Sequence, residues 1–378
     1  MEKAEGIYIY DTSGKKYMDL ISGISVSNVG HRHPQVLAAI HAQLDKYLHL
    51  MVYGEYVQAP QVQLAKLLTD NLPASLNSVY LTNSGTEAIE GALKLAKRVT
   101  GKTEIVSFRN SYHGSTHGAL SIGGNEELKN SFRPLLPDVT ILEFNDIEQL
   151  KSISRDKTAC VVVEPMQGEA GVHIADKEFL QELRNICNET CTLLIFDEIQ
   201  CGSGRTGKLF AFEHYGIVPD VLCIAKGMGG GMPIGAFIAS QKMMHTFTHN
   251  PILGHLTTFG GHPVSCAAAK ATFDILLQNN LMEQVAVKEK LFRKYLQHPI
   301  IKEIRGIGFM LAVQFESFEI NKRIIDACIE KGVITDWFLF CDNAMRIAPP
   351  LTITESEIES ACGIIIECVE KVHQQHRS

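Results

Sequence analysis

Residues 192–231 read TLLIFDEIQCGSGRTGKLFAFEHYGIVPDVLCIAKGMGGG and contain two short apolar segments, each followed by a charged residue. The first segment ends at Asp197, and the second leads into Lys226 about thirty residues later. Segments that are apolar on both faces are typical of strands in a parallel sheet, and the intervening stretch can hold one helical crossover. The pattern therefore predicts two parallel strands that bring Asp197 and Lys226 to one edge of a sheet.

The same alternation of β-branched runs and helical stretches extends from residue 79 to residue 240. The predicted strands are 79–81, 104–108, 139–144, 159–164, 193–197, 221–225 and 235–240. This pattern predicts an α/β fold with a mostly parallel seven-stranded sheet flanked by helices. Because ligands bind beyond the carboxyl ends of such strands, we expect Glu164, Asp197 and Lys226 to share one site.

Both ends of the chain differ from this central part. The first forty residues contain a turn at 11–14 between two short strands, and an α+β pattern follows the Ala-rich helical stretch 262–277. We therefore expect a small α+β domain built from both termini. Its N-terminal part would be 1–40 and its C-terminal part 281–378, with a large ligand-binding domain at 41–280.

Composition excludes several classes of protein. The 378 residues carry a formal net charge of -7, which argues against a nucleic-acid binder. No apolar run approaches the roughly 20 residues of a membrane span, and no signal-peptide core follows Met1, so we expect a cytoplasmic protein. The 10 cysteines show no CxxC spacing and predict free, mostly buried thiols. His31 and His33 have no second cluster of ligands nearby, which predicts a hydrogen-bonded turn and no metal site.

Lys226 is unusual because lysine is seldom buried without a partner. It precedes GMGGG at 227–231, whose glycines let the main chain approach a ligand closely. A desolvated lysine has a lowered pKa and can attack an aldehyde to form an imine. Asp197 could face a protonated pyridine nitrogen, because a carboxylate after an apolar strand needs a cationic partner. Taken alone, it would suit a structural ion pair or a magnesium ion about as well.

A candidate phosphate site follows the predicted strand 79–81. Ser84, Gly85 and Thr86 open a helix whose first main-chain amides could bind phosphate, although the same residues also serve as ordinary helix caps. Two other glycine-rich segments match phosphate motifs less well. GSGRTGK at 202–208 starts like a Walker A loop, but Leu209 replaces the required Ser or Thr, and Met232 replaces the third glycine of a dinucleotide fingerprint.

Eight motifs occur in order along the chain: SGTEA at 84–88, YHG at 112–114, EP at 164–165, QGE at 167–169, DEIQ at 197–200, GRTG at 204–207, AKG at 225–227 and TTFGG at 257–261. Together they resemble the class III aminotransferases, the fold-type I group that includes acetylornithine and ornithine aminotransferases. The resemblance implies pyridoxal 5'-phosphate (PLP) as cofactor, with 41–280 as the PLP-binding domain. It also implies transfer of an amino group from an ω-amine or amino acid to a 2-oxo acid, 2-oxoglutarate or pyruvate.

The resemblance also implies roles for individual residues. Lys226 would hold PLP as a Schiff base and shuttle a proton, and Asp197 would pair with the pyridine nitrogen. Tyr112 would stack on the ring, Gln200 would reach its phenolic oxygen, and Gly85 and Thr86 would bind the phosphate. The implied cofactor-binding set is Ser84, Gly85, Thr86, Tyr112, His113, Glu164, Asp197, Gln200, Lys226 and Thr258.

Two further implications concern the substrate and the assembly. Arg346 resembles the family arginine that grips a substrate carboxylate by a two-pronged contact, and Glu169 resembles its switchable partner. Glu169 would pair with Arg346 when the incoming molecule presents an amine instead. Thr258 would reach the phosphate of a neighbouring subunit's cofactor, which implies at least a homodimer with shared active sites.

The sequence departs from the family pattern at two positions. Ser115 stands where members that recognise a second carboxylate have arginine, and Ile24 stands where ornithine aminotransferases have a substrate-facing tyrosine. Either another arginine, such as Arg109 or Arg133, supplies the far contact, or the acceptor is smaller, as pyruvate is. Family members also usually begin with an extra N-terminal stretch, so the chain is expected to be a short start or a truncated form.

Three other functions remain compatible with the motifs. A decarboxylase, or an aminomutase or epimerase, would use the same fold and cofactor site. A PLP-binding regulator without catalytic activity is the alternative from a different class. The Glu169 and Arg346 pair favours transamination, because decarboxylation has no need for such a switch.

Overall fold

The computed structural model describes residues 1–278 and 280–377. Its strands are β1 (Lys3–Glu5), β2 (Tyr8–Tyr10), β3 (Lys16–Asp19), β4 (Ser78–Thr82), β5 (Glu104–Phe108), β6 (Val139–Leu142), β7 (Thr158–Val163), β8 (Met166–Gln167), β9 (His173–Ile174), β10 (Leu193–Asp197), β11 (Val221–Ile224), β12 (Gly235–Ala239), β13 (Glu303–Ile307), β14 (Met310–Gln314), β15 (Val333–Ile334), β16 (Trp337–Phe338) and β17 (Cys341–Ile347). Its helices are α1 (Ser22–Ser25), α2 (Pro34–Leu44), α3 (Ala59–Asp70), α4 (Gly85–Thr100), α5 (His117–Ser121), α6 (Lys177–Thr190), α7 (Gln241–Met244), α8 (Pro263–Gln278), α9 (Leu281–Tyr295), α10 (Phe318–Glu330) and α11 (Glu355–Arg377).

Seven strands form the central sheet in the order β4-β12-β11-β10-β7-β5-β6. β12 runs antiparallel to both of its neighbours, and the other adjacent strands are parallel. These are the seven predicted strands, with ends shifted by at most two residues. The prediction of a mostly parallel seven-stranded sheet is therefore confirmed.

The central strands are apolar throughout because both faces of the sheet are covered. On β10, Ile195 belongs to the cluster that includes Ala92 of α4, whereas Phe196 belongs to the cluster on the other face that includes Phe179 of α6. All of these side chains are fully buried. Burial of a large apolar side chain stabilises a fold by about 1.5–3 kcal/mol. Because helices cover the sheet on both faces, its strands are held firmly, and the polar residues at their ends have fixed positions.

Helix α4 begins just beyond the carboxyl end of β4. Ser84 caps it by accepting a hydrogen bond from the Glu87 amide at 3.3 Å. Gly101 ends it in the left-handed conformation, with φ of 71°. These two caps place the first turn of the helix, residues 85 and 86, at the edge of the sheet where the site was predicted.

The two termini pair with each other in a smaller sheet. The order β1-β2-β3-β15 joins the first strands of the chain to a strand near its end, and β13-β14-β17-β16 forms a second four-stranded sheet. The predicted turn at 11–14 connects β2 and β3, with the Asp11 carboxylate accepting a hydrogen bond from the Ser13 amide at 2.9 Å. The domain boundaries 1–40, 41–280 and 281–378 stay predictions.

Several smaller predictions concern single residue types. His31 pairs with Asp19 at 2.7 Å, and His33 caps α2 by accepting a hydrogen bond from the Gln35 amide at 3.3 Å. All ten cysteines are free; Cys191 is exposed, Cys341 is partly buried and the others are buried. Within residues 1–278 and 280–377, no helix is both long and apolar enough to cross a membrane.

Candidate active site

A cavity of about 520 Å³ lies where the strands of the central sheet end. Its lining comes from segments that follow β4, β5, β7, β10 and β11. Of the residues predicted for the site, it is lined by Ser84, Gly85, Thr86, Tyr112, His113, Glu164, Glu169, Asp197, Gln200 and Lys226. The structure therefore brings these ten residues together from distant parts of the chain.

Lys226 opens a single 3-10 turn, Lys226–Gly229, directly after β11. Its backbone is left-handed, with φ of 44°, which is costly for a residue with a side chain. Among the described residues, its amine has no hydrogen-bond or ion-pair partner. Burial lowers the pKa of Lys226, although the negative charge of Glu169 opposes this effect. A lowered pKa increases the fraction of neutral, nucleophilic amine.

Asp197 is held at the end of β10 by two hydrogen bonds. One carboxylate oxygen accepts from the Ile199 amide at 3.0 Å, and the other lies 2.7 Å from the His113 Nδ1. Asp197 and His113 are both buried. These contacts fix a carboxylate and an imidazole at the cavity wall, where a cationic ring nitrogen could pair with the carboxylate.

Glu164 joins two loops that line the cavity. Its carboxylate oxygens accept hydrogen bonds from the amides of Tyr112 and Gly168, each at 3.0 Å. Burial raises the pKa of Glu164 to about 7. Through these contacts the residue positions Tyr112 and the loop that leads to Glu169.

The start of α4 offers an open anion site. The amides of Gly85 and Thr86 make no hydrogen bond to other described residues. A Cβ atom added to Gly85 would lie 2.8 Å from the Ile199 side chain, so only glycine fits here without a shift. The Thr86 hydroxyl is 2.7 Å from that of Thr116. This helix terminus could accept a phosphate group.

Glu169 and Arg346 form a buried pair at one side of the cavity. The two terminal nitrogens of Arg346 donate to the two oxygens of Glu169 at 3.1 and 3.0 Å. Gln200 donates to the same carboxylate at 2.9 Å. Burial raises the pKa of Glu169, but the charge of Arg346 outweighs this effect and lowers it overall. Glu169 is therefore ionised, and it stands between Arg346 and the cavity.

Sequence reasoning missed two residues that contact Arg346. The Arg346 Nε donates to the Asp336 carboxylate at 2.9 Å, and the guanidinium lies 4.3 Å from the centre of the Phe338 ring. Both residues come from the segment around β16, which pairs with β17. The sequence TDWF at 335–338 has two polar residues followed by two aromatic ones, and nothing in it pointed to Arg346.

Four residues considered for the site lie elsewhere. Thr258 is exposed and does not line this cavity. Arg109 and Arg133 pair with Glu143 and Glu126 at the surface. Ile24 has a left-handed backbone with φ of 63°, and Val26 lines the cavity in its place.

Ser115, which stands in place of the family's second arginine, does line the cavity. Its hydroxyl is 3.1 Å from that of Tyr112. This end of the site is therefore polar and uncharged within the described chain.

Comparisons with known proteins identify the family. The family model for class III aminotransferases matches residues 1–369. The acetylornithine aminotransferase of Methanocaldococcus jannaschii is 38% identical over 98% of this chain and 93% of its own length. The putrescine aminotransferase of Pectobacterium atrosepticum is 39% identical over 92% of this chain and 77% of its own length.

Solved structures show the same fold. The ornithine aminotransferase of Toxoplasma gondii, whose structure has partial occupancy of PLP at the active site, superposes with a TM-score of 0.91 and 29% identity. The superposition covers 100% of this chain and 91% of that protein. The predicted fold type I is confirmed by this likeness, together with the seven-stranded sheet. The chain belongs to the class III aminotransferases and is a PLP-dependent transaminase.

Proposed function

We propose that this enzyme moves the amino group of an ω-amine or amino acid, of the ornithine, acetylornithine or putrescine kind, to a 2-oxo acid. The observation that carries the proposal is the pairing of Glu169 with Arg346 at the side of the cavity that contains Lys226. The names of the relatives support the donor class, since they act on acetylornithine and putrescine. One pocket would accept both substrates in turn.

The residues of the cavity fit PLP. Lys226 provides an amine without a partner in the described chain, Asp197 provides a fixed carboxylate, and the start of α4 provides free amides. We assign the cofactor to these residues, with Ser84, Tyr112, His113, Glu164 and Gln200 completing its surroundings. When bound, PLP supplies an electron sink for the substrate carbon that loses its proton.

Lys226 would have two tasks in the reaction. Its amine would hold the cofactor covalently between turnovers, which its lowered pKa favours. When the substrate amine takes its place, the released amine would take a proton from the amine-bearing carbon of the substrate. Asp197, kept in position by His113, would keep the ring nitrogen protonated.

Glu169 and Arg346 would select the substrate for each half-reaction. With the pair closed, the charge of Arg346 is neutralised and the cavity suits an amine without a nearby carboxylate. With Glu169 turned aside, the fork of Arg346 would bind the α-carboxylate of an amino or 2-oxo acid. The substrate carboxylate would replace the two hydrogen bonds from Arg346, while Glu169 would also have to release or carry along those from Gln200 and the Leu339 amide.

The end of the pocket lined by Ser115 and Tyr112 determines which 2-oxo acid can serve as the acceptor. Among the described lining residues there is no arginine, and Arg109 and Arg133 are engaged at the surface. A second substrate carboxylate would therefore meet Ser115 and Tyr112 rather than a cation from this chain. This favours an acceptor with a single carboxylate, pyruvate, over 2-oxoglutarate.

We also propose a homodimer. Tyr53, Val62, Ile252, Leu253 and Leu256 are exposed apolar residues that line a second cavity of about 600 Å³. A contiguous apolar surface of this kind is typical of an interface between subunits. Thr258 lies close by in sequence and is exposed, which suits a residue that serves the partner's cofactor. The cytoplasm is the proposed location, because ten free thiols persist in a reducing compartment.

The proposal is tested by following both products of the purified enzyme. Putrescine, ornithine, N-acetylornithine and 5-aminovalerate are tested as donors, by the loss of the cofactor's visible absorbance in single half-reactions. The active donor is then combined with pyruvate or 2-oxoglutarate, and the new amino acid is quantified. Stoichiometric transfer of the amino group supports the proposal, whereas release of CO₂ or isomerisation without transfer would refute it.

A further inference from the structure

Arg346 has two hydrogen-bonding edges, and a different carboxylate occupies each of them. Its terminal nitrogens face Glu169, and its Nε faces Asp336 at 2.9 Å. The side chain is only 4% exposed. Because a guanidinium is planar and rigid, a bond at Nε together with the Phe338 ring against its face sets the direction of the remaining edge.

Asp336 and Glu169 are attached to different parts of the structure. Asp336 lies between β15 and β16, and its main-chain carbonyl accepts a hydrogen bond from the Arg346 amide at 2.8 Å. Its neighbour Thr335 donates to the Arg346 carbonyl at 2.6 Å. Glu169 follows β8, and its carboxylate also accepts a hydrogen bond from the amide of Leu339, one residue after β16, at 3.2 Å. The side chain of Glu169 can turn away from Arg346 by releasing this amide, without breaking a hydrogen bond of Asp336.

We propose that Asp336 is a positioning residue that determines how Arg346 receives substrate carboxylates. Asp336 holds the Nε edge, so the two terminal nitrogens stay directed at the cavity whether Glu169 or a substrate occupies them. This inference rests on the proposed function, in which Arg346 binds the α-carboxylate.

The arrangement also explains how the exchange can be reversible. When Glu169 is in place, Arg346 faces the carboxylates of Glu169 and Asp336. When a substrate replaces Glu169, Arg346 faces the substrate carboxylate and Asp336. The number of charges around the buried guanidinium stays constant, so neither state leaves an unpaired buried charge beside it. Without Asp336, the Nε edge would have no carboxylate partner, and the Phe338 ring alone would set the direction of the terminal nitrogens less closely.

The test compares the KM values for two donors in half-reactions of the holoenzyme. L-alanine carries an α-carboxylate and putrescine carries none. Asp336→Ala is expected to raise the ratio of the L-alanine KM to the putrescine KM at least tenfold, or about 1.4 kcal/mol. Asp336→Asn keeps an oxygen that can accept from Nε and should stay within threefold of the wild type. Asp342→Ala removes an exposed carboxylate from the same strand as Arg346 and should leave the ratio unchanged.

Arg346→Ala separates this inference from the proposed function. If Arg346→Ala raises the ratio and Asp336→Ala does not, the inference is overturned and the proposed function stands. If Arg346→Ala leaves the ratio unchanged, Arg346 does not bind the α-carboxylate, and the proposed function is refuted together with the inference that rests on it. An equal loss for both donors in Asp336→Ala would show a purely structural role and also overturn the inference. Should Asp336→Ala not fold, Asp336→Ser, whose side chain is too short to reach Nε, replaces it.

Discussion

His113 and Asp197 form a buried hydrogen bond in which the imidazole Nδ1 lies 2.7 Å from the carboxylate Oδ2. Burial alone would lower the pKa of His113, but the hydrogen bond and charge of Asp197 outweigh it and raise the pKa above its usual value. Within the described chain, the second ring nitrogen of His113 has no hydrogen-bond partner. The imidazole therefore holds the Asp197 carboxylate in place, and the pairing favours the protonated form of His113.

Replacing His113 should destabilise the protein in a pH-dependent way. His113→Phe leaves a buried carboxylate oxygen without its donor, which costs about 1–3 kcal/mol. Because the native pKa of His113 is raised, its contribution is complete below the unfolded value of about 6.5 and is lost as the pH rises through the native value. Urea unfolding of the apoenzyme at a series of pH values gives the free energy of unfolding of the wild type and of His113→Phe. The difference between them should become smaller as the pH rises through the native pKa of His113. A constant difference at all pH values would contradict the pairing.

Two glycines should respond in opposite ways to alanine. A Cβ atom on Gly235 would lie 2.4 Å from the main-chain oxygen of Ser84, and backbone cannot yield cheaply. Gly235→Ala is expected to lower the free energy of unfolding by about 1–3 kcal/mol and to weaken PLP binding by displacing the start of α4. Gly363 lies exposed within α11 with open space around it, so Gly363→Ala should raise stability by about 0.5–1 kcal/mol. The free energy of unfolding of both variants is measured by urea denaturation. Equal changes in Gly235→Ala and Gly363→Ala would contradict the close contact at Gly235 and the open space at Gly363.

Removing the charge of Glu169 should change substrate preference. In Glu169→Gln the buried Arg346 keeps a neutral hydrogen-bond partner but loses a carboxylate. The KM for the 2-oxo acid should fall, since its carboxylate no longer displaces a charged competitor. The KM for a carboxylate-free amine should rise about tenfold, because charged hydrogen bonds are worth about 1.5–3 kcal/mol. The measurement is the KM for each half-reaction. If the KM values for the 2-oxo acid and for the amine change in the same direction, Glu169 does not act as a switch at Arg346.

Much of the central sheet could be predicted because its strands are apolar on both faces. Residues 159–163 of β7 and 193–196 of β10 are unbroken apolar runs, and the polar residue that follows each run, Glu164 or Asp197, marks the ligand-binding edge. The antiparallel direction of β12 was not predictable, because GAFIA at 235–239 has the same pattern in either direction. Local sequence establishes which segments are strands, and tertiary pairing decides their direction.

The surroundings of Arg346 could not be predicted for a related reason. Asp336 contacts Arg346 only because β16 pairs with β17 through an irregular register in which Trp337 faces Met345. Arg205 presents a similar case, because its motif GRTG was recognised in the sequence but its partners were not. Its guanidinium is fully buried and donates to the carbonyl of Phe309 and to the side chain of Asn28. The contacts of Arg205 join segments more than 100 residues apart, and that of Asp336 depends on a local strand register that the sequence does not reveal.

The shared active site of the proposed dimer can be tested by mixing two variants that are impaired at different residues. Lys226→Ala removes the lysine proposed to be catalytic, and Thr258→Ala removes the hydroxyl expected to serve the neighbouring subunit. A mixed dimer contains one site with both residues intact. Unfolding and refolding the two variants together at equal amounts should restore about a quarter of the wild-type activity by random pairing. Activity no higher than the mean of the separate variants would contradict the shared site.

Covalent attachment of the cofactor to Lys226 tests the central claim most directly. The holoenzyme is reduced with borohydride and digested, and the peptide that contains residue 226 is analysed by mass spectrometry. The pyridoxyl mass is expected on Lys226, and Lys226→Ala should lose both this modification and transaminase activity. A pyridoxyl group found on another lysine, or none on this peptide, would contradict the assignment of Lys226 and Asp197 to one cofactor site.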